Sequence, residues 1–157
     1  MRLRRAKIEE IEALRGIANY QFGWPAGEAL VDDDAVVGIS PSTRRIREVY
    51  GREGLVAVLR AHDYFFSLSL NGARRLLRVF RSPRLRAIVE PERLLTKSVP
   101  CGAVLEVDEG LYAGEEVIVV SSEDALLGVG RLRLSPIEIK EGVCRGEAIR
   151  LRRVVGE

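Results

Sequence analysis

Ser98-Val99-Pro100-Cys101-Gly102-Ala103-Val104-Leu105 is the stretch on which the fold turns, read with Leu127-Gly128-Val129-Gly130-Arg131-Leu132 further on. A short helical run from Glu92 to Ser98 is expected to end here. Pro100 has no backbone N–H to donate, and Gly102 tolerates backbone angles closed to other residues. An apolar strand starting at Ala103 and running to Val107 follows. A bend built this way turns backbone N–H groups outward, a setting suited to phosphate or ribose oxygens.

Outward from that bend the sequence keeps a fixed order. Gly114-Glu115-Glu116-Val117-Ile118-Val119-Val120 comes next, then Ala125-Leu126-Leu127-Gly128-Val129-Gly130-Arg131. Leu134-Ser135-Pro136-Ile137-Glu138-Ile139 and Arg145-Gly146-Glu147-Ala148-Ile149 close the series. Four motifs in this order and spacing resemble the PUA domain, a small RNA-binding β pseudobarrel, over roughly residues 86 to 155. Strands are expected at Arg86 to Glu90, Val117 to Ser121, Leu126 to Leu134 and Glu147 to Val154, with a second short helix from Pro136 to Glu141 behind the capping Ser135. The resemblance implies an RNA surface made by the Gly102 turn, the first short helix and the last strand. Arg93, Lys97, Gly102, Ala103, Arg145, Arg150 and Arg152 are its expected contacts. Arg150 and Arg152 share one face of the last strand, Ile149 and Leu151 the other. In the PUA-like arrangement Cys101 and Cys144 lie in neighbouring loops. They read first as two small buried thiols, with a disulfide as the open alternative.

The preceding half carries its own signature. Ile8, Ile11, Leu14, Ile17 and Ala18 recur at helical spacing between Lys7 and Tyr20, with Glu9, Glu10 and Glu12 near the helix start. Arg2, Arg4 and Arg5 precede it and read as a flexible basic tail. Strands are expected at Ala35 to Ile39, Arg45 to Tyr50 and Leu55 to Leu59, joined by turns at Pro41-Ser42 and Gly51 to Gly54, and a helix from Leu70 to Phe80 behind Ser69. Asn19-Tyr20-Gln21-Phe22-Gly23-Trp24-Pro25-Ala26-Gly27-Glu28-Ala29-Leu30, with Arg44 to Arg47, Leu59-Arg60 and Phe66 to Leu76, resembles the domain that precedes PUA in archaeal archaeosine tRNA-guanine transglycosylases and archaeosine synthases. The likeness departs at Trp24-Pro25 and at Ala61-His62-Asp63-Tyr64. Tyr20, Phe22, Trp24, Tyr64, Phe65, Phe66 and Phe80 read as core residues, Trp24 being the first to test as a base-stacker.

Charge separates the halves. Through Ile88 there are 16 Lys and Arg against 10 Asp and Glu; from Val89 onward, 9 against 13. Arg74, Arg75, Arg78, Arg81, Arg84 and Arg86 fall within 13 residues free of acids. Arg74, Arg75 and Arg78 lie within about one helical turn, a pattern suited to a phosphate backbone; pairing with Asp32, Asp33 and Asp34, or with the acidic face of the second domain, is the alternative. Seven acids and no base between Glu106 and Asp124 keep that flank away from nucleic acid.

The chemistry of catalysis is thinly represented. His62 is the one histidine, two cysteines are too few for a four-ligand zinc site, and no Gly-x-x-x-x-Gly-Lys loop occurs. Neither a secretory signal nor an apolar run of membrane-spanning length is present, so the cytoplasm is the default. The transglycosylase family does its chemistry in a separate barrel domain with an Asp nucleophile and zinc, to which nothing here corresponds. The expected fold is α+β: an N-terminal α+β domain over 1–85 (long helix, antiparallel strands, helix) and a PUA-like pseudobarrel with two short helices over 86–157. The expected function is RNA binding without catalysis, cofactor or metal. The resemblance implies tRNA at its acceptor stem as the partner, in concert with a transglycosylase-type catalytic chain; ribosomal RNA is the alternative partner.

Overall fold

The structure, a computed structural model, describes residues 1–141 and 144–157. The fold is α+β, in two compact units, Met1–Val79 and Phe80–Glu157. The expected division after residue 85 falls six residues later than this one, and Leu85 shows why. Its N–H donates to the Asp108 carboxylate at 2.7 Å, and its carbonyl accepts from Ile118 N–H at 2.8 Å. The segment from Phe80 is thereby tied to the second unit.

In the first unit, β1 (Arg2–Arg5), β2 (Val36–Ile39), β3 (Ile46–Gly51), β4 (Gly54–Leu59) and β5 (Phe66–Leu68) form an antiparallel sheet in sequence order. Helices α1 (Ile8–Phe22), α2 (Ala26–Leu30) and α3 (Leu70–Val79) complete the unit. Ile11, Leu14, Ala18 and Phe22 form the buried stripe of α1, spaced three, four and four residues apart as a helix requires. Ile8, expected on that stripe, is instead exposed at the first turn. Gly27 lets α2 lie against α1, since a Cβ there would stand 2.4 Å from the Arg15 carbonyl oxygen. Ser69 Oγ accepts from Gly72 N–H and donates to the carbonyls of Leu55 and Val56, capping α3 and tying it to β4.

The basic N-terminus is not a flexible tail. Arg2 to Arg5 pair with Ile39 to Val36 as an edge strand, and Arg4 forms two 2.8 Å bonds with the Glu10 carboxylate. Glu10 also accepts from Lys7 N–H at the start of α1. Its carboxyl is held down at about 2, chiefly by the Arg4 guanidinium. An edge strand rich in charge exposes no apolar alternation to be read, which is why its sequence looks like a tail.

The second unit contains β6 (Arg86–Val89), β7 (Ser98–Pro100), β8 (Val104–Val107), β9 (Glu116–Val120), β10 (Leu126–Leu132) and β11 (Glu147–Val154). Their order in the sheet is β7-β11-β10-β9-β6-β8, antiparallel except for the β6–β9 pair. Helix α4 (Pro136–Lys140) starts at Ser135, whose Oγ accepts from Glu138 N–H. Gly130 permits the close approach of β10 to β11: a Cβ there would lie 2.0 Å from the Arg150 carbonyl oxygen. The expected helix from Glu92 to Ser98 is absent. A single 3-10 turn (Pro91–Arg93) stands there, after which Leu95 and Ser98 exchange backbone hydrogen bonds and the chain extends into β7. Seven residues are too few to sustain a helix unaided, and the residue before Pro100 is driven to extended angles.

Candidate nucleic-acid interface

The arginine-rich run divides into two kinds of residue. On α3, Arg74 and Arg78 are exposed and line a hollow of about 650 Å³ whose wall also holds Arg52, Asn71 and the acids Asp32, Asp34 and Glu53. Arg75 lines the same hollow, but with its charge engaged. Its side chain is only 11% exposed and is gripped by Asp32 at 2.9 and 3.0 Å, by Glu53 at 2.6 and 3.0 Å, and by the Ala29 carbonyl. Hydrogen bonding to Arg75 holds the Glu53 carboxyl at about 2, and Glu53 in turn raises the guanidinium above its ordinary value. Pairing with Asp32, the alternative weighed from sequence, is what this residue does. It ties α3 to the turn before β2 and to the β3–β4 hairpin, so its neighbours project outward from a fixed base.

Arg86 is likewise structural. Only 2% of its side chain is exposed, and it makes 2.7 and 2.9 Å bonds to Asp124 and a 3.0 Å bond to the Arg84 carbonyl. The Arg84 guanidinium lies 4.2 Å from the Phe80 ring centroid.

In the second unit the β7–β11 pairing sets out most of the expected contact residues. Ser98 faces Arg150 and Pro100 faces Glu147, while Leu151 N–H donates to the Lys97 carbonyl. Cys101 N–H donates to the Gly146 carbonyl, and Cys101 and Cys144 are joined as a disulfide with Cα atoms 5.8 Å apart. The reading as two separate thiols is thus corrected: the bend and the approach to β11 are close enough to be covalently linked. Arg145 beside it is exposed.

Gly102 is exposed, but its φ is not in the left-handed region, and an added Cβ would meet only the flexible tip of Arg93. The bend does not need glycine for its backbone angles. Arg93 Nη1 donates to the Gly102 carbonyl at 2.6 Å. The Ala103 side chain is fully buried, so that expected contact is limited to its backbone. Lys97 lies 3.6 Å from Glu157, and Arg150 donates to Glu147 at 3.0 Å. Glu147 is held below its usual carboxylate value by the Ser98 hydroxyl and then by Arg150.

Arg152 sits at a bulge of β11, between the residues that face Val129 and Gly130. It donates to Glu116 at 2.6 and 3.1 Å, and Arg131 lies 3.6 Å from the same carboxylate. Glu116, 3% exposed, is an ion-pair centre that sequence reading missed. A carboxylate at the first position of an apolar strand, with Arg131 and Arg152 downstream, was the available signal.

The aromatic assignments divide too. Phe22, Phe66 and Phe80 are core residues, whereas Tyr20 is 82%, Trp24 75% and Tyr64 44% exposed. Among the described residues no group of three or more His, Cys, Asp or Glu side chains could hold a metal ion, and no helix is long and apolar enough to cross a membrane.

This pairing of an α+β unit with a mixed β unit recurs in solved structures. A PUA domain of Aeropyrum pernix superposes with a TM-score of 0.69 at 13% identity, covering 99% of this chain and 87% of that one. A conserved PUA domain protein of Thermoplasma acidophilum gives 0.64 at 17% identity, covering 99% and 95%. Residues 12–83 match the family model of the patch-forming domain C2 of tRNA-guanine transglycosylase, and residues 89–155 match that of the PUA domain. The chain thus consists of a domain of the tRNA-guanine transglycosylase C2 family followed by a member of the PUA domain family. It is 37% identical over 149 residues to a tRNA-guanine(15) transglycosylase of Methanobrevibacter smithii, covering 92% of this chain and 22% of that enzyme. Against the Methanosphaera stadtmanae tRNA-guanine(15) transglycosylase it is 38% identical over 160 residues, covering 98% and 24%. The chain therefore spans about a quarter of the length of these curated relatives.

Proposed function

We propose that the chain binds RNA, with tRNA at its acceptor-stem region as the favoured partner. It serves tRNA modification as a non-catalytic recognition subunit or accessory factor. The observation that carries this reading is the C2–PUA pair itself, matched to domains of tRNA-guanine(15) transglycosylases over almost the whole described chain. The catalytic step belongs in this reading to a separate transglycosylase-type chain. Arg74 and Arg78 supply phosphate contacts from the first unit. Arg93, Lys97, Arg145 and Arg150, with the backbone at Gly102 and Ala103, supply them from the second. The ion pairs of Arg93 with Glu90, Lys97 with Glu157 and Arg150 with Glu147 lie at the surface, weak enough in water to be exchanged for phosphate. Arg152 braces Glu116 and lends its field, while Arg75 holds α3.

Affinities for whole tRNA, an acceptor-stem minihelix and an anticodon-stem hairpin test the reading. The minihelix should retain most of the affinity for tRNA and the hairpin little. Equal affinity for all three, or preference for a ribosomal RNA fragment, would remove the acceptor-stem assignment. Co-purification of a tagged chain with a transglycosylase catalytic chain from an archaeal host tests the accessory role; a chain recovered without it would count against that role.

A further inference from the structure

The β2–β3 and β4–β5 loops leave the same end of the first unit's sheet, and they close in the same way. In one, Ser40 N–H bonds the Arg45 carbonyl at 2.9 Å and Arg44 N–H bonds the Ser40 carbonyl at 2.8 Å. In the other, Arg60 N–H bonds the Phe65 carbonyl at 2.9 Å and Tyr64 N–H bonds the Arg60 carbonyl at 3.0 Å. Each loop places one residue in the left-handed region, Arg44 at φ 59° and Tyr64 at φ 57°. Glycine or asparagine is the ordinary occupant of such angles, and bulky side chains held there concentrate at functional sites.

The side chains so displayed form a consistent set. Arg45 donates to the Tyr64 hydroxyl and lies 5.5 Å from the centre of its ring. Phe65, next in the chain, stacks on Tyr20 with ring centroids 6.0 Å apart and planes 19° from parallel. That stack has a firm footing: Gln21 exchanges two hydrogen bonds, of 2.9 and 2.7 Å, with the backbone of Phe66. At 82% exposure Tyr20 keeps a ring face open to solvent, and Trp24, four residues on, is 75% exposed. The one acid of these two loops, Asp63, is turned to Arg60, His62 and Phe65 N–H. Arg44 and the His62 ring remain at the surface.

Flat rings open on one face, beside cations and with the loop acid Asp63 turned to its own neighbours, fit a nucleobase and its phosphate; exposed Glu28, beyond Trp24, is bonded to Asn19 at 3.3 Å. Stacking is tolerant of base identity because every base has a π face. We propose that this end of the first unit is an aromatic platform for unpaired RNA bases, with Tyr20 and Trp24 taking the stack and Arg44 and Arg45 the adjoining phosphates. This rests on the RNA-binding reading above and adds a single-stranded segment to the structured RNA that the arginine surfaces address.

The test uses the full chain, a fluorescently labelled single-stranded RNA decanucleotide, its abasic counterpart and tRNA, with affinity read by anisotropy. The decanucleotide should bind more tightly than the abasic strand. Tyr20→Ala should weaken decanucleotide binding about 5- to 150-fold, while Tyr20→Phe retains it and both variants keep the circular dichroism of the parent. Equal affinity for the two strands, or an unchanged affinity in Tyr20→Ala, overturns the platform while leaving tRNA binding intact. A parent chain that binds neither strand nor tRNA overturns the RNA-binding reading and the platform together.

Discussion

Two adjacent arginines on α3 should fail in opposite ways. Arg75 makes four charge-assisted bonds to Asp32 and Glu53 and a fifth bond to the Ala29 carbonyl. Truncating it leaves carboxylates that are 31% and 39% exposed, which regain water and so recover much of what four bonds would otherwise cost. The net loss for Arg75→Ala is then nearer one strong charge-assisted bond, about 2–3 kcal/mol. For a unit of this size that lowers the melting temperature by about 10–20 °C. Trp24 is the one tryptophan of the chain and lies in the first unit, so its fluorescence follows that unit's unfolding. Arg74→Ala and Arg78→Ala remove exposed side chains and should change stability by less than about 0.5 kcal/mol. Each should instead weaken tRNA binding and reduce the slope of log affinity against log salt by about 1. A melting shift for Arg75→Ala no larger than that for Arg74→Ala would refute the division into scaffold and contact residues. So would an Arg74→Ala, Arg78→Ala double variant that keeps the parent's salt slope.

Acid should loosen the first unit. Glu10 and Glu53 are held at about 2 against an ordinary 4.5, so their stabilisation is fully present above about pH 5 and fades as pH falls toward 2. Melting followed at Trp24 should therefore drop through that window, and Arg4→Ala should flatten the fall by removing the Glu10 share; a parent indifferent to pH there would contradict the pairing. Reducing Cys101–Cys144, which are 43 residues apart in sequence, releases a loop constraint of up to about 4 kcal/mol. Reductant should lower the second unit's transition and leave the Trp24 signal unmoved. Gly130→Ala, whose Cβ would lie 2.0 Å from the Arg150 carbonyl oxygen, should destabilise the second unit by about 1–3 kcal/mol in calorimetry. Gly16→Ala, in mid-α1 with nothing within 4 Å of the new Cβ, should stabilise the first unit by about 0.5–1 kcal/mol.

Local sequence pattern carried most of the fold. The α1 stripe shows in spacing imposed by burial on one face, β9 in an apolar run buried at every position, and the Ser69 and Ser135 caps in residue type ahead of a helix. Elements without a buried stripe were hidden. The charged edge strand β1 looks like a tail, and the stretch after Pro91 has helix-forming residues but neither the length nor the packing to use them. The site was less legible than the scaffold. A run of arginines does not say which are clamped, since Asp32, Glu53 and Asp124 lie tens of residues from Arg75 and Arg86 and meet them only on folding. Aromatic residues read as core by default, and nothing local distinguishes Phe22, buried, from Tyr20, two residues before it and open to solvent.

A tRNA titration repeated at about 50 and about 200 mM salt bears most directly on the claim that exposed arginines and lysines clasp an RNA backbone. Neutralising three or more phosphates should weaken binding at least about 30-fold across that range. Affinity that is no tighter than about micromolar at the lower salt, and flat between the two, would contradict it.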